Sequence, residues 1–141
     1  KAKLIGDGTN RLNLTYAGNE ADGCILAAES DKAVGEAYNI CNDGEITQAE
    51  YLNAIAERIG AEPVTRKVPY RVAYSAAFLM ELFGHALGRK KPPLVTRYSV
   101  WLVGRRCFFS SEKIARELGY RPAVGYDEGI ARSVDSVLAT Q

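Results

Sequence analysis

The 141-residue sequence predicts an α/β fold in which helices predominate over short strands. Two stretches carry this prediction. Residues 6–23 open with the turn tripeptide Gly6-Asp7-Gly8 and then alternate apolar and polar side chains with the period of a half-buried strand. Residues 47–60 begin with a capping-box sequence, continue with apolar residues at helical spacing and end at a glycine.

Short apolar or alternating runs, several of them bounded by turn residues, predict the strands. They are residues 3–5, 12–16, 37–41, 64–68 and 105–109. The run 37–41 ends at an Asn-Asp-Gly turn, and we place the strand 64–68 beside it.

Capping residues, apolar spacing and glycine stops predict five helices. The first is capped by Asn19 and reaches Ala28, the second begins at Thr47, the third spans Pro69–Leu87 and the fourth spans 94–103. The fifth is capped by Ser110 or Ser111 and closed by Gly119.

The composition is that of an ordinary globular protein, with 47% hydrophobic and 25% charged residues. A net charge of +1 gives no electrostatic reason to expect nucleic acid as a partner. Cys24, Cys41 and Cys107 match no zinc motif, and with His85 as the single histidine we expect no metal site. We expect buried, reduced thiols, which suit a cytoplasmic protein.

The segment Pro69–Leu87 is apolar on most of its circumference. We expect this helix to pack inside the protein or against another domain; a substrate or dimer surface is the next alternative and membrane contact the least favoured. A homo-oligomer is therefore possible. The chain opens within a predicted strand and without methionine, so we expect it to be a piece of a longer protein.

Four positions near the amino terminus resemble the extended short-chain dehydrogenases/reductases, the NAD-dependent epimerase/dehydratase superfamily. Gly6 and Gly8 match a G-x-G turn, Tyr16 an aromatic residue after the following strand, and Asn19 the residue that opens a helix. Leu12, together with Asn10, is more similar to the 3β-hydroxysteroid dehydrogenase-like branch, because nucleotide-sugar enzymes usually place an arginine where Leu12 stands.

A second motif near the carboxy terminus strengthens the resemblance. In the family this motif is a helix, a short link and a final helix that an acidic residue before glycine opens. The matching residues are Lys113, Leu118, Gly119, Tyr120, Pro122, Glu128 and Gly129. The resemblance spans nearly the whole chain but only the carboxy-terminal part of the family's length. It implies that residues 1–141 form a single substrate-binding lobe without the nucleotide-binding half.

The family's catalytic residues have no counterpart in this chain. Gly6-Asp7-Gly8 lacks a third glycine and opens no helix, so it is not a dinucleotide fingerprint. None of the eight tyrosines is followed four residues later by lysine, so the family's Tyr-x-x-x-Lys pair is missing. We therefore assign no catalytic, cofactor-binding or metal-binding residue here. The resemblance implies that NAD(P) is bound mainly by an upstream domain, which is the expected protein partner.

By resemblance, the parent protein exchanges a hydride between NAD(P) and a secondary alcohol or ketone. The apolar third helix and the absent arginine favour an apolar, sterol-like or β-keto substrate. A nucleotide-sugar epimerase or dehydratase is the alternative enzyme, and a non-catalytic binding module of the same fold is the alternative from another class.

The resemblance places Asn10 and Tyr16 at the substrate cleft, and we add Arg97 and Tyr98 as further candidates. Asn10 can donate and accept hydrogen bonds, and Tyr16 offers a ring with a hydroxyl. The competing interpretations are structural: Asn10 as a turn residue, Tyr16 as a core ring, Arg97 in a surface salt bridge and Tyr98 as a packed ring.

Overall fold

The computed structural model describes residues 2–89, 91–106 and 108–140. Helices dominate it, as predicted. The helices are α1 (Ala17–Ala28), α2 (Gln48–Arg58), α3 (Tyr70–Ala86), α4 (Arg97–Gly104), α5 (Glu112–Leu118) and α6 (Tyr126–Ala139), with a 3₁₀ turn at Asp31–Ala33.

The strands are two residues long and form two small pairs. They are β1 (Leu4–Ile5), β2 (Arg11–Leu12), β3 (Ile46–Thr47) and β4 (Lys67–Val68). β1 pairs with β4 in parallel, with Leu4 opposite Lys67, and β2 pairs with β3 antiparallel, with Leu12 opposite Ile46. The α/β class with predominant helices is therefore confirmed.

Several predicted strands are shorter than expected or absent. Only Lys67–Val68 of the predicted 64–68 pairs, and it pairs with β1, so its placement beside 37–41 was wrong. Residues 37–41 form no strand, and side chains bind two of their carbonyls: Lys113 Nζ donates to the Ala37 carbonyl at 3.1 Å and Thr15 Oγ1 to the Ile40 carbonyl at 3.1 Å. In the predicted strand 105–109 no described residue is in a strand, and position 107 lies outside the described residues.

The first helix begins three residues earlier than predicted. Tyr16 occupies the N-cap position of α1, and its side chain makes no capping hydrogen bond. Asn19 is not a cap; it lies inside the first turn and is 1% exposed. The prediction failed because the side-chain amide of Asn19 bonds to a distant segment of chain rather than to its own helix end.

The side chain of Asn19 forms hydrogen bonds with both the backbone N–H and the backbone carbonyl of Val124. Its Oδ1 accepts the Val124 N–H at 3.0 Å, and its Nδ2 donates to the Val124 carbonyl at 2.7 Å. The same Nδ2 donates to Asn42 Oδ1 at 2.9 Å, and Asn42 Nδ2 donates to the Val124 carbonyl at 2.9 Å. The Tyr120 hydroxyl donates to the Asn19 carbonyl at 3.2 Å. A buried polar network thus joins α1 to the α5–α6 connection.

Helix α2 begins with the predicted capping box. Thr47 Oγ1 accepts the Glu50 N–H at 3.2 Å, and the Glu50 carboxylate accepts the Thr47 N–H at 2.8 Å. The next two amides of the helix bind the preceding turn, because the N–H of Gln48 donates to the Asn10 carbonyl and that of Ala49 to the Gly8 carbonyl. The turn 6–10 is thereby fixed against the start of α2.

The packing of the helices follows two main contacts. α3 packs against α4, α2 packs against α6, and α4 also contacts β1. The carboxy-terminal motif folds as predicted: α5 ends at Gly119, which has φ of +76°, and α6 follows after a short link.

Helix α3 is buried on only one of its faces within the described chain. Ala77 is its one fully buried residue. Its exposed large apolar side chains are Val72, Tyr74, Phe78, Leu79, Met80, Leu82 and Phe83. Within the described chain α4 and its neighbours cover one face of this helix, and packing of the other face against another domain stays a prediction. None of the helices within the described residues combines the length and apolarity needed to cross a bilayer.

Replacing Asn19 by leucine should destabilise the fold strongly. The substitution keeps the number and branching of the side-chain heavy atoms but leaves the buried N–H and C=O groups of Val124 without the Asn19 partner, which costs about 3 kcal/mol in the free energy of unfolding. Urea unfolding followed by circular dichroism measures this loss. Asn39→Leu, at an exposed asparagine, is the matched control; equal unfolding midpoints for the two variants would contradict the role of the network.

Candidate substrate site

A cavity of about 570 Å³ lies between α2, α6 and residues 14–16. Its wall is mainly aliphatic and aromatic. The lining residues are Leu14, Thr15, Tyr16, Asn42, Tyr51, Ile55, Ile59, Tyr126, Gly129, Ile130, Ser133, Val134, Val137 and Leu138. The volume falls within the range of small-molecule sites, which are concave and mostly apolar.

Three polar side chains in the wall already have partners within the protein. Ser133 Oγ donates to the Gly129 carbonyl at 2.7 Å, and Thr15 Oγ1 donates to the Ile40 carbonyl. Asn42 belongs to the network with Asn19. Burial raises the pKa of Tyr126, so its hydroxyl stays neutral at physiological pH. The cavity therefore offers an apolar lining with phenolic hydroxyls rather than charges.

Tyr16, one of the predicted substrate residues, lies in this wall. Its N–H donates to Asn42 Oδ1 at 3.1 Å. Two glycines leave room for the side chain: a Cβ atom at Gly18 would lie 2.6 Å from Cε1 of Tyr16, and one at Gly129 would lie 3.3 Å from its Cβ. The Arg132 guanidinium lies 5.9 Å from the centre of the ring. Tyr16 is half-buried in the cavity wall, and its role in substrate binding stays a prediction.

Asn10, the second candidate, is not among the residues that line the cavity. Its Nδ2 donates to the carbonyls of Val103 at 2.7 Å and Arg105 at 3.0 Å, at the end of α4. These bonds occupy both amide hydrogens and tie the 6–10 turn to α4. A role for Asn10 in substrate binding stays a prediction, in which its side-chain oxygen would accept a hydrogen bond from the substrate.

Arg97 and Tyr98, at the start of α4, are also outside the cavity. The Arg97 side chain donates to Glu81 at 2.6 Å and its backbone N–H donates to the same carboxylate at 2.7 Å. Its guanidinium lies 5.1 Å from the centre of the Phe78 ring. Tyr98 stacks on Trp101 with ring centres 6.2 Å apart and is otherwise exposed. The structure thus places the four candidates in three different environments.

No acid–base pair faces the cavity within the described residues, where the titratable groups of the wall are tyrosines. His85 is exposed on α3, away from this wall. The described part of the chain contains no cluster of histidine, cysteine and acidic residues suited to a metal. Cys41 is buried and donates to the Phe109 carbonyl, but Cys24 is exposed, contrary to expectation, and Cys107 lies outside the described residues.

Sequence reasoning did not identify most of the wall. Tyr51 and Ile55 come from α2, and Ile130, Val134 and Val137 come from α6. The signal was present, because the α6 residues recur at i, i+4 and i+7, which marks one face of a helix. It did not show that this face borders a cavity rather than a filled core.

The chain is similar to known dehydrogenases over most of its length. It is 35% identical to the sterol-4-alpha-carboxylate 3-dehydrogenase, decarboxylating, of Mus musculus across 94% of this chain and 38% of that protein. It is 31% identical to the 2-alkyl-3-oxoalkanoate reductase of Shewanella oneidensis, across 94% of this chain and 35% of that protein. It is 34% identical to the 3beta-hydroxysteroid-dehydrogenase/decarboxylase isoform 1 of Arabidopsis thaliana, across 94% of this chain and 33% of that protein. The chain corresponds to the carboxy-terminal part of an extended short-chain dehydrogenase/reductase.

This extended dehydrogenase lobe spans between a third and two fifths of the length of the relatives that it matches. It lies near the 3β-hydroxysteroid dehydrogenase-like proteins, so the family resemblance is confirmed. No family model matches the chain.

Solved structures agree with the fold of this dehydrogenase lobe. The dTDP-glucose 4,6-dehydratase DesIV of Streptomyces venezuelae, solved with NAD bound, is 26% identical with a TM-score of 0.64, over 99% of this chain and 34% of that one. The UDP-glucuronic acid 4-epimerase of Bacillus cereus has a TM-score of 0.63 at 16% identity (98% and 34%) and bears on the fold alone. The fold is the helical carboxy-terminal lobe of a Rossmann-type enzyme, without its nucleotide-binding half.

The Glu81–Arg97 contact should make the α3–α4 packing sensitive to acid. Hydrogen bonds from the Arg97 backbone N–H and side chain hold the pKa of Glu81 below its ordinary value of 4.5. Because the folded pKa is the lower one, the stabilisation is present above the unfolded pKa and is lost as pH falls through the folded value.

We expect Glu81→Gln to weaken the dependence of the thermal midpoint on pH between about pH 5 and about pH 3. Differential scanning calorimetry at a series of pH values measures the slope. Glu29→Gln, which changes an exposed carboxylate next to α1, is the control. A slope unchanged by Glu81→Gln would show that the contact contributes nothing to folding.

Proposed function

We propose that the chain is the substrate-binding lobe of an NAD(P)-dependent oxidoreductase acting on a secondary alcohol or ketone with an apolar, sterol-like or β-keto body. The supporting observation is the apolar cavity beside Tyr16, in a chain similar to dehydrogenases and reductases whose names specify sterol carboxylates and 2-alkyl-3-oxoalkanoates. Residues 1–141 form one lobe, and the activity belongs to the longer protein.

The lining of the cavity favours an apolar ligand on energetic grounds. Aliphatic side chains such as Ile55, Ile130 and Val134 contribute by removing apolar ligand surface from water, at about 25 cal/mol per Å². A sugar in the same place would need partners for each hydroxyl, and the side chains of Ser133 and Thr15 already donate to backbone carbonyls. A polar ligand would therefore lose more hydrogen bonds to water than the wall returns.

The lobe binds and orients the substrate, and the chemistry comes from outside it. When bound, NAD(P) supplies the hydride, and the family's Tyr-x-x-x-Lys pair supplies the proton; residues 1–141 contain no such pair. Tyr16 contributes a half-buried ring and hydroxyl at the cavity wall. A cytoplasmic location, a partner nucleotide-binding domain and a homo-oligomer are parts of the same proposal.

A nucleotide-sugar epimerase or dehydratase is the second candidate. The fold similarity to DesIV favours it. Leu12 counts against it, because it stands where such enzymes usually place an arginine for the diphosphate, and Arg11 is opposite Thr47 in the β2–β3 pair and bonded to Glu45. A non-catalytic module of this fold is the third candidate, distinguished by the absence of the tyrosine–lysine pair from the longer protein.

The first test is ligand binding by the chain itself. We expect a medium-chain 3-oxoalkanoate to bind and UDP-glucose not to bind, as measured by titration calorimetry. Val134→Phe fills part of the cavity and should weaken binding at least about tenfold, in line with the loss of buried apolar contact. Val34→Phe makes the same change at an exposed position outside the cavity and should leave binding unaltered.

Circular dichroism establishes that both variants remain folded. Binding of UDP-glucose in place of the keto compound would support the epimerase alternative. Equal binding by both phenylalanine variants would place the ligand outside this cavity.

The second test concerns turnover. The 141-residue chain should leave NADH and NADPH unoxidised in the presence of the 3-oxoalkanoate, because it holds neither the nucleotide site nor the proton donor. The longer protein that contains this lobe should oxidise one of them, followed by absorbance of the reduced nicotinamide. Oxidation of NADH or NADPH by the isolated chain would contradict the proposal that this lobe binds substrate while the rest of the longer protein supplies the chemistry.

A further inference from the structure

A second cavity, of about 700 Å³, adjoins the first along α2. One of its walls is apolar and consists of Leu52, Ile55, Ala56 and Ile59, from this helix and its end. Residues 61–66 form the facing wall and contribute both apolar and polar side chains. Like the first cavity, the second has the volume of a small-molecule site, and the function proposed above does not use it.

Two side chains line both cavities. Ile55 and Ile59 are four residues apart, so they lie one above the other on the same side of α2. Ile59 follows the last residue of the helix and is 52% exposed, which leaves an apolar surface open between the two cavities. The side chains of Ile55 and Ile59, which we call the isoleucine ridge, are therefore the common wall of two adjoining compartments.

Separate contacts hold the two outer walls against α2. On the side of the first cavity, Arg58 Nε and Nη2 donate to the two carboxylate oxygens of Asp135 at 2.9 and 2.5 Å, which ties the end of α2 to α6. On the side of the second, Gly60 has φ of +67°, a left-handed conformation in which the chain turns back along the helix. Asn53 Oδ1 then accepts the Val64 N–H at 2.7 Å. Because each outer wall has its own anchor on α2, the compartments stay on either side of the isoleucine ridge.

From this arrangement we infer that the two compartments bind the two alkyl arms of a 2-alkyl-3-oxoalkanoate, one on each side of the isoleucine ridge. The inference rests on the function proposed above and narrows its substrate class. In such a compound one chain extends from the keto carbon and the other is attached to the adjacent carbon, so two apolar arms diverge from neighbouring atoms. With the branch point over the ridge, each arm enters one compartment, and the keto and carboxylate groups face away from both.

The charges of the two compartments favour a head group that points outwards. The described residues that line the first compartment include no cation, and an unpaired carboxylate is costly to bury. In the second compartment Arg66 is accompanied by Glu62, whose charge opposes that of a carboxylate ligand. The polar head therefore lies outside both compartments, towards the part of the longer protein that supplies the hydride.

The isoleucine ridge counts against a sterol as the ligand that fills both compartments. A fused ring system is rigid and cannot bend around a side chain, so it would occupy one compartment and leave the other to water. Two flexible chains remove apolar surface from water on both sides of the ridge, which contributes about fourfold in affinity for each buried methylene. A two-armed keto compound therefore gains more from this pair of cavities than a sterol does.

Titration calorimetry with two ligands tests the inference. The compound 3-oxooctanoate has one alkyl arm, and 2-butyl-3-oxooctanoate has a second arm on the adjacent carbon. The two-armed compound should bind at least about tenfold more tightly, because each methylene that the second compartment removes from water contributes about fourfold.

A variant of the second compartment locates the second arm. Ala61→Phe places a ring in this compartment from an exposed position of its outer wall. It should reduce the affinity for the two-armed compound to that for 3-oxooctanoate, and leave 3-oxooctanoate within about twofold, since the single arm loses no apolar contact. Ala28→Phe makes the same change at an exposed position of α1 outside both compartments and should leave both affinities unaltered. Circular dichroism verifies that both variants are folded.

Val134→Phe, which changes the first compartment only, separates this inference from the function proposed above and should weaken binding of both compounds. Equal affinity for the two compounds, with no effect of Ala61→Phe, would overturn the two-armed arrangement and leave the first cavity with its assignment. Loss of 3-oxooctanoate binding in Ala61→Phe would show that one chain occupies both compartments, and would equally overturn it. If neither compound binds, or if Val134→Phe has no effect, the proposed function is wrong and this inference with it.

Discussion

The fold depends on one side-chain amide that acts as a backbone partner. Asn19 binds both the N–H and the C=O of Val124, as a neighbouring strand would, and it does so while almost fully buried. A buried amide with every group satisfied stabilises one arrangement, whereas any shift leaves polar atoms without water or partner. The amide therefore fixes where the α5–α6 connection meets α1, over 105 residues of sequence.

The geometry of the cavity follows from the same network. Asn42 shares its side-chain oxygen between Asn19 and the N–H of Tyr16, so the network holds the backbone of a cavity residue directly. Helix α6 begins directly after the Val124 connection and brings Gly129 against Tyr16. A site built this way is positioned by elements distant in sequence, which lets its apolar lining stay open without collapse of the surrounding helices.

Local signals were enough to predict the helices α2 and α5. The capping box at Thr47 and the glycine stop at Gly119 involve hydrogen bonds and backbone angles of residues that are close in sequence. Such features can be recognised from the local sequence alone. Asn19 was misassigned because an asparagine near a helix start satisfies the same pattern whether it caps or bonds to distant chain. Whether residues 37–41 pair as a strand, and which residues line the cavity, depends on the segments that the tertiary fold places next to them. The spacing of apolar residues in the sequence does not specify those neighbours.

The start of α2 has a consequence for where phosphate groups can bind. Helix amino termini attract anions through free N–H groups and the positive end of the helix dipole. At α2 the first four amides are already taken, by the Glu50 carboxylate, the carbonyls of Asn10 and Gly8, and the hydroxyl of Thr47. The glycine-containing turn of this lobe thus closes off a helix end that, left open, could receive a pyrophosphate.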